Sequence, residues 1–468
     1  MDQTSIERLK DYLAQLPPKS QALLMREFER SVERGEDTAV ANFVLEELRK
    51  IVRRPDDGGR PRSEDPARHL FRLLEPFLVE GRSALRPGQI RRASLPPIWQ
   101  WLARDGAPDA VRAFEVALTT ETKSASELEK AVRTFQMAAA AAIQKVVTND
   151  SGTDRQRALA RIGAPSVVDD LASIGAILNA REAVDTLNGR LPSFLRVFGE
   201  SQIALLMTAL DVPSLQSPHV LPFALSLVMQ RLSASWQIIR LAIKVAGSDD
   251  EVRVAATPYG VAVTLAIDDL SRISTSLRAD IPRGHFENVS DHLKIVHDGM
   301  RGLRTELDIR ADSNWGRQLA AIRVGISNGL QSEIDSVPGR VRRLLRQRPD
   351  KDISPSARLD PTEVEETAAL IDFVAVCRTY ASELAINEVT LRTYSDLQHY
   401  VEQTTEALVG SLRNGDERVR AFRQQQVEAA IRFCEILFGH DYSSLMGRAA
   451  DNALTVERKS SRAGESVK

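Results

Sequence analysis

VSDHLKIVHDGMRGLRTELDIRADSNWGRQLAAIRVGISNGLQSEIDSVPG, residues 289–339, decides the fold class. Val289, Leu293, Val296, Met300, Leu303 and Leu307 alternate at spacings of four and three. The pattern resumes at Trp315, Leu319, Ile322, Ile326, Leu330, Ile334 and Val337. Side chains so spaced share one stripe of an α-helix, and a stripe this apolar must be buried against other helices. The spacing predicts a helix from residue 288 to a stop at Pro338-Gly339, about 75 Å long at ~1.5 Å per residue if unbroken. Arg310 to Asn314 interrupts the stripe and is the place where it divides. Successive fours from Ile326 to Ile334 resemble a stutter that relaxes a left-handed supercoil.

The same period runs through other segments. Leu128, Val132, Phe135, Ala139, Ala142 and Val146 form one seam, and the alanines from 138 to 142 let a neighbouring backbone approach closely. Val167, Leu171, Ile174 and Leu178 form a second, and Val419, Phe422, Ala429, Phe433 and Ile436 a third. Strand alternation is nearly absent, and Ala, Leu, Arg and Glu are abundant while aromatics stand at 5%. The expected fold class is therefore all-α: an elongated multi-helix bundle, or bundles in series, with long seam-forming, coiled-coil-like central helices.

A chain of 468 residues exceeds what one core usually organises. Punctuation divides it into a helical unit at 1–53, a Pro- and Gly-rich linker at 54–66, and a helical segment at 67–150. A central long-helix bundle at 151–347, a second linker at 348–361, a helical group at 362–440 and a disordered tail at 441–468 follow. Within 69–81, Pro76 should kink or split an apolar helix. Ser94, in the basic RRAS of residues 91–94, resembles a kinase target but is better placed as the N-cap of a helix starting at Pro96 or Pro97.

Charge is balanced, with 62 basic residues against 64 acidic ones and a formal net of −2, so no global field draws the chain to nucleic acid or anionic lipid. Arginine dominates the basic set, 51 against 11 lysines, which points to a GC-rich bacterial source. The N-terminus is charged from Asp2 and lacks a secretory core. The uncharged run at 212–230 holds three prolines and is read as a loop feeding a buried helix. Cys377 and Cys434, the two cysteines, are unpaired in sequence and sit in apolar helical patterns, which fits a reducing cytoplasm.

The catalytic candidates are few. His285, His292 and His297 fall within thirteen residues among carboxylates. On the main stripe His292 and His297 flank opposite edges, about 140° apart at ~100° per residue, which is too divergent for one ion. His285 and His292 lie ~10.5 Å apart along the axis, beyond a shared ion. His297-Asp298 is a His-Asp dyad of the kind that serves metal-dependent phosphohydrolysis, since imidazole and carboxylate together hold an ion that activates water. His292, His297 and Asp298 are accordingly the metal candidates, although a second dyad at His440-Asp441 dilutes the signal. No phosphate-binding lysine loop, nucleophile elbow, paired-cysteine motif or dinucleotide fingerprint occurs. No catalysis and no cofactor is expected.

GRVRRLLRQRPDK, residues 339–351, concentrates basic charge in Arg340, Arg342, Arg343, Arg346 and Arg348 around Val341, Leu344 and Leu345. As an amphipathic helix it suits phosphates, an anionic membrane surface or an acidic protein. Glu363, Glu365 and Glu366 downstream offer neutralisation within the fold instead. Without aromatics among the arginines, nucleic acid is an unlikely partner. The leading expectation is a cytoplasmic bacterial scaffold or adaptor that works through protein–protein contact with another protein or with itself through residues 288–337. The alternatives are a metal-dependent phosphohydrolase at His297 and Asp298, and an anionic-surface binder at 339–351, including peripheral membrane contact without a transmembrane segment.

Overall fold

A computed structural model describes residues 65–80, 86–119, 124–148, 159–281, 289–384, 386–412 and 417–465, with short pieces at 24–25, 27–28 and 44–45. The expected unit at 1–53 and linker at 54–66 fall almost wholly outside the described residues, as does His285. The fold is all-α, 81% helical with almost no strand. Two compact units divide the chain, residues 1–266 and 267–468.

In the first unit the helices, numbered in chain order, are α1 (Pro66–Phe71), α2 (Leu95–Trp101), α3 (Pro108–Thr119), α4 (Ala125–Val147), α5 (Pro165–Asn179) and α6 (Arg181–Arg190). They continue with α7 (Glu200–Leu210), α8 (Leu221–Met229), α9 (Ile239–Ala246), α10 (Glu251–Ala255) and the start of α11 (Val261–Asp280). Pro76 splits the first apolar run as its geometry requires: α1 ends at Phe71 and a 3-10 turn continues to Phe77. β1 (Leu78–Val79) and β2 (Ile90–Arg91) form a short parallel pair with Leu78 opposite Ile90.

α4 starts at a complete capping box, in which Ser124 accepts from the Glu127 amide and Glu127 accepts from the Ser124 amide at 2.8 Å. It packs along α5, and the small residues of its seam do what their size allows. Ala139 and Ala140 are buried, and Gly175 of α5 sits so close that a Cβ there would lie 2.5 Å from Ile143 Cγ2. Beside this contact Phe114 and Phe135 stack at 5.0 Å, with Trp99 edge-on to Phe135 at 5.9 Å. The uncharged run at 212–230 resolves into turns and α8, whose residues from Phe223 to Val228 are all buried. Among the described residues no helix is long and apolar enough to cross a membrane.

The second unit holds the rest of α11 with α12 (Val289–Glu306), α13 (Asn314–Leu345), α14 (Pro361–Leu384), α15 (Asn387–Ser411), α16 (Arg420–Phe438) and α17 (His440–Glu465). The stripe divides where expected. α13 begins at Ser313, whose hydroxyl accepts from the Gly316 amide at 2.9 Å, and a Cβ on Gly316 would collide with the Arg310 carbonyl at 2.1 Å. Every stripe residue from Val289 to Val337 is buried, and the covering helices belong to this chain: α12 packs on α14, and α13 on α14 and α15. α11 closes another side, with Leu270 against Gly299, the Arg278 guanidinium against Gly325 and its stem against Gly329.

Two sequence expectations fail here. Pro338-Gly339 does not stop the helix, which runs on to Leu345. A proline inside a helix costs about 3 kcal/mol. However, Val341, Leu344 and Leu345 prolong the buried stripe, and each buried aliphatic side chain stabilises by about 1.5–3 kcal/mol. The expected disordered tail at 441–468 begins instead as α17, with Ser443, Ala450 and Ala453 buried; the last three residues lie outside the described ones. Gly439, at φ +86°, takes the left-handed turn that separates α16 from α17.

Candidate functional site

The histidine region lies on α12. His297 Nδ1 is 3.0 Å from Asp298 Oδ1, and its ring rests against Tyr380 of α14 with centroids 5.2 Å apart. Packing against Tyr380 leaves the His297 side chain only 13% exposed, while Asp298 is half exposed. His292 points elsewhere: its Nδ1 is buried with no hydrogen-bond partner. The candidate metal set of His292, His297 and Asp298 is therefore one adjacent pair plus a separate imidazole. Among the described residues no group of three or more His, Cys, Asp or Glu converges in a way that could hold an ion. The second dyad is again a local arrangement, with His440 contacting Glu435 at 3.5 Å and the Ser444 hydroxyl at 3.3 Å.

Both cysteines are core residues. Burial pushes each thiol up, away from the thiolate that nucleophilic chemistry needs, and Cys434 meets nothing more activating than the Thr405 hydroxyl at 3.4 Å.

The arginine segment proves to be the last turns of α13 and the residues just beyond. Arg343 pairs with Glu363, Arg340 approaches Glu366 at 3.9 Å, and Arg342 lies over the Tyr400 ring at 5.7 Å. Glu365, the third downstream carboxylate, pairs with Arg432 instead and is held below the usual carboxylate range by that hydrogen bond. Arg346 and Arg348 are exposed and make no ion pair among the described residues. Their backbone is fixed from α16. Gln426 Nε2 donates to the carbonyls of Leu344 at 3.0 Å and Arg346 at 3.2 Å, and Arg423 donates to the Arg348 carbonyl and to Asp350 Oδ1 at 3.0 Å. The Leu344 and Arg346 carbonyls stand where a helix C-terminus leaves such groups open. Sequence reading missed Gln426 and Arg423, yet a signal existed: Gln426 occupies the stripe position between Phe422 and Ala429, where an apolar residue was due.

Ser94 corrects another expectation. It makes no side-chain cap on α2; it is buried, and its hydroxyl donates to Asp170 Oδ2 at 2.5 Å. Asp170 also accepts from the Arg91 amide at 3.3 Å and from Arg91 Nη1 at 3.4 Å, tying β2 to α5. Burial raises the Asp170 carboxyl above its ordinary range, against the lowering effect of these bonds. A kinase cannot reach Ser94 in the folded chain.

The loop between α6 and α7 exposes two apolar side chains close together, Phe194 at 54% and Val197 at 70%. The loop is held firmly. Leu195 N donates to Arg231 O at 2.7 Å, Ser233 N to Leu195 O at 3.0 Å, and Arg240 Nη1 to Phe198 O at 2.6 Å. Arg196, beside them, is exposed as well. Neither a protein-family model, nor a curated protein, nor a solved structure matches this chain, so its side chains alone carry the functional reading.

Proposed function

We propose that this chain is a helical scaffold or adaptor of the bacterial cytoplasm that works through protein–protein contact. One observation carries the reading: Phe194 and Val197 project from a loop whose backbone is bonded on both sides to residues 231–233. Apolar side chains shown to solvent on fixed backbone suit recognition, because a partner gains buried area without having to order the surface first. Self-association through residues 288–337 would have to use their outer face, where Ile295 and Val324 are exposed, since the stripe is covered within its own unit. The test compares tagged wild-type chain with the Phe194→Asp, Val197→Asp double variant, purified from native cells at low salt. A near-stoichiometric protein that co-elutes with the wild type and is lost from the variant supports the reading. Its absence from the wild type, or its retention by the variant, overturns the assignment to this loop.

The exposed Arg346 and Arg348 favour a second reading, an anionic surface as partner. It requires retention on anionic vesicles that falls with salt and disappears on charge reversal at both arginines.

A further inference from the structure

α7 is a surface helix whose outer face carries no charge. Between Glu200 and Asp211 its sequence, SQIALLMTAL, has no ionisable side chain. Ile203, Leu206 and Leu210 are buried and fix the inner side. Ser201, Ala204, Leu205 and Thr208 are exposed, and at ~100° per residue they share an arc of about 100° on the opposite side. Leu205 on this arc is 73% exposed, and Val197, just before the helix, is 70% exposed. Glu200, at the rim, is neutralised by Lys244 of α9 at 3.1 Å. The outer side of a surface helix ordinarily carries charged and strongly polar residues, and an uncharged one is the kind that packs against another helix.

The charges at the two ends of α7 are set against their own helix. Asp211 closes α7, so its carboxylate stands at the negative end of the helix dipole, while Arg196 precedes the positive end. Both are exposed, and neither makes an ion pair among the described residues. Against a second α7 laid antiparallel, each charge changes ends. Asp211 of one copy then reaches the N-terminal end and Arg196 of the other, and the reverse holds at the opposite end. Ala204 lies seven residues from both Val197 and Asp211, so a twofold axis beside it sets the loop of each copy against the last turn of α7 in the other. The small Ala204 side chain lets the two axes approach to about 8–10 Å. Face and charges are therefore complementary to themselves, as a twofold interface requires.

We propose, resting on the protein-contact reading above, that the outer face of α7 with Phe194 and Val197 beside it pairs antiparallel with the same face of a second copy of this chain. One short helix and its loop lie at or below the small end of specific interfaces, about 1,200 Å², so the pair is expected to be reversible. Sedimentation velocity of the full chain from about 1 to about 100 µM should show one chain converting to two as concentration rises. Leu205→Glu, at a position outside the core, should weaken the dimer about tenfold or more. Arg196→Asp alone and Asp211→Arg alone should each weaken it as well, because like charges then meet at both ends. An equimolar mixture of these two variants should dimerise as the wild type does, since every charge again meets its opposite. That restoration separates pairing from misfolding of any one variant. A monomer throughout the range, a dimer indifferent to Leu205→Glu, or a mixture no better than its components overturns the proposal. If the chain stays monomeric while a different protein co-elutes with it and is lost from the Phe194→Asp, Val197→Asp variant, self-pairing fails and the contact reading stands.

Discussion

The Ser94 hydroxyl donates to the Asp170 carboxylate across 2.5 Å, and both side chains are withdrawn from water. Ser94→Ala removes that donor and leaves Asp170 Oδ2 with only the weaker bonds from Arg91. A typical hydrogen bond contributes about 0.5–1.5 kcal/mol. Urea unfolding of the first unit should shift to lower midpoint by that amount, and a shift below about 0.3 kcal/mol would show the bond to be idle.

Asp170 also gives the unit a pH dependence whose sign follows from burial. Its folded carboxyl is raised above the unfolded value near 3.9, so the folded state holds the proton longer than the unfolded chain. This stability is fully present below the unfolded value and is lost as pH rises through the folded one. Relative to Asp170→Asn, the wild type should therefore lose stability as pH climbs from about 4 to neutrality. Denaturation of both proteins at pH 4 and pH 7 checks it; a gap that stays constant, or opens the other way, counts against burial as the dominant influence.

At the C-terminus of α13, Gln426 serves two open carbonyls. Gln426→Ala should cost about 1–3 kcal/mol in the second unit and speed amide exchange in residues 341–346. Unchanged exchange there would mean that water replaces the side chain without loss.

Two glycines of α13 make opposite predictions. A Cβ on Gly316 would lie 2.1 Å from a backbone oxygen, whereas one on Gly339 would meet nothing within 4 Å. Gly316→Ala should destabilise by about 1–3 kcal/mol or more, as forced overpacking does. Gly339→Ala should stabilise by about 0.4–1 kcal/mol through the unfolded chain. Thermal unfolding of the pair reads both signs at once.

Cys377 and Cys434 should resist a thiol reagent in the folded protein and react completely after denaturation, because burial removes them from solvent and suppresses the thiolate. Fast reaction of either under native conditions would contradict its packing.

Helical periodicity carried most of the fold. From Val289 to Val337 each stripe residue is buried, and the seams read at 128–146 and 167–178 lie on α4 and α5. What the sequence concealed was long-range choice. Pro338 reads as a stop because local rules say so, and only the burial of Val341, Leu344 and Leu345 beyond it outweighs the local cost. Ser94 beside two prolines has the local form of a cap, but Asp170, seventy-six residues away, takes its hydroxyl. The arginine segment was legible as charge, and its downstream acids as partners. Which acid meets which arginine depends on the register between α13 and α14, and no spacing states that.

The bonded loop at Leu195 has a thermodynamic consequence. Phe194 and Val197 hold their positions before any encounter, so a partner that covers them pays little for ordering backbone. Association there should show a negative heat-capacity change from apolar contact without the large entropy deficit that accompanies coupled folding. Loosening the loop by Ser233→Pro, which deletes the donor to the Leu195 carbonyl, would leave the same side chains available yet weaken capture through disorder alone.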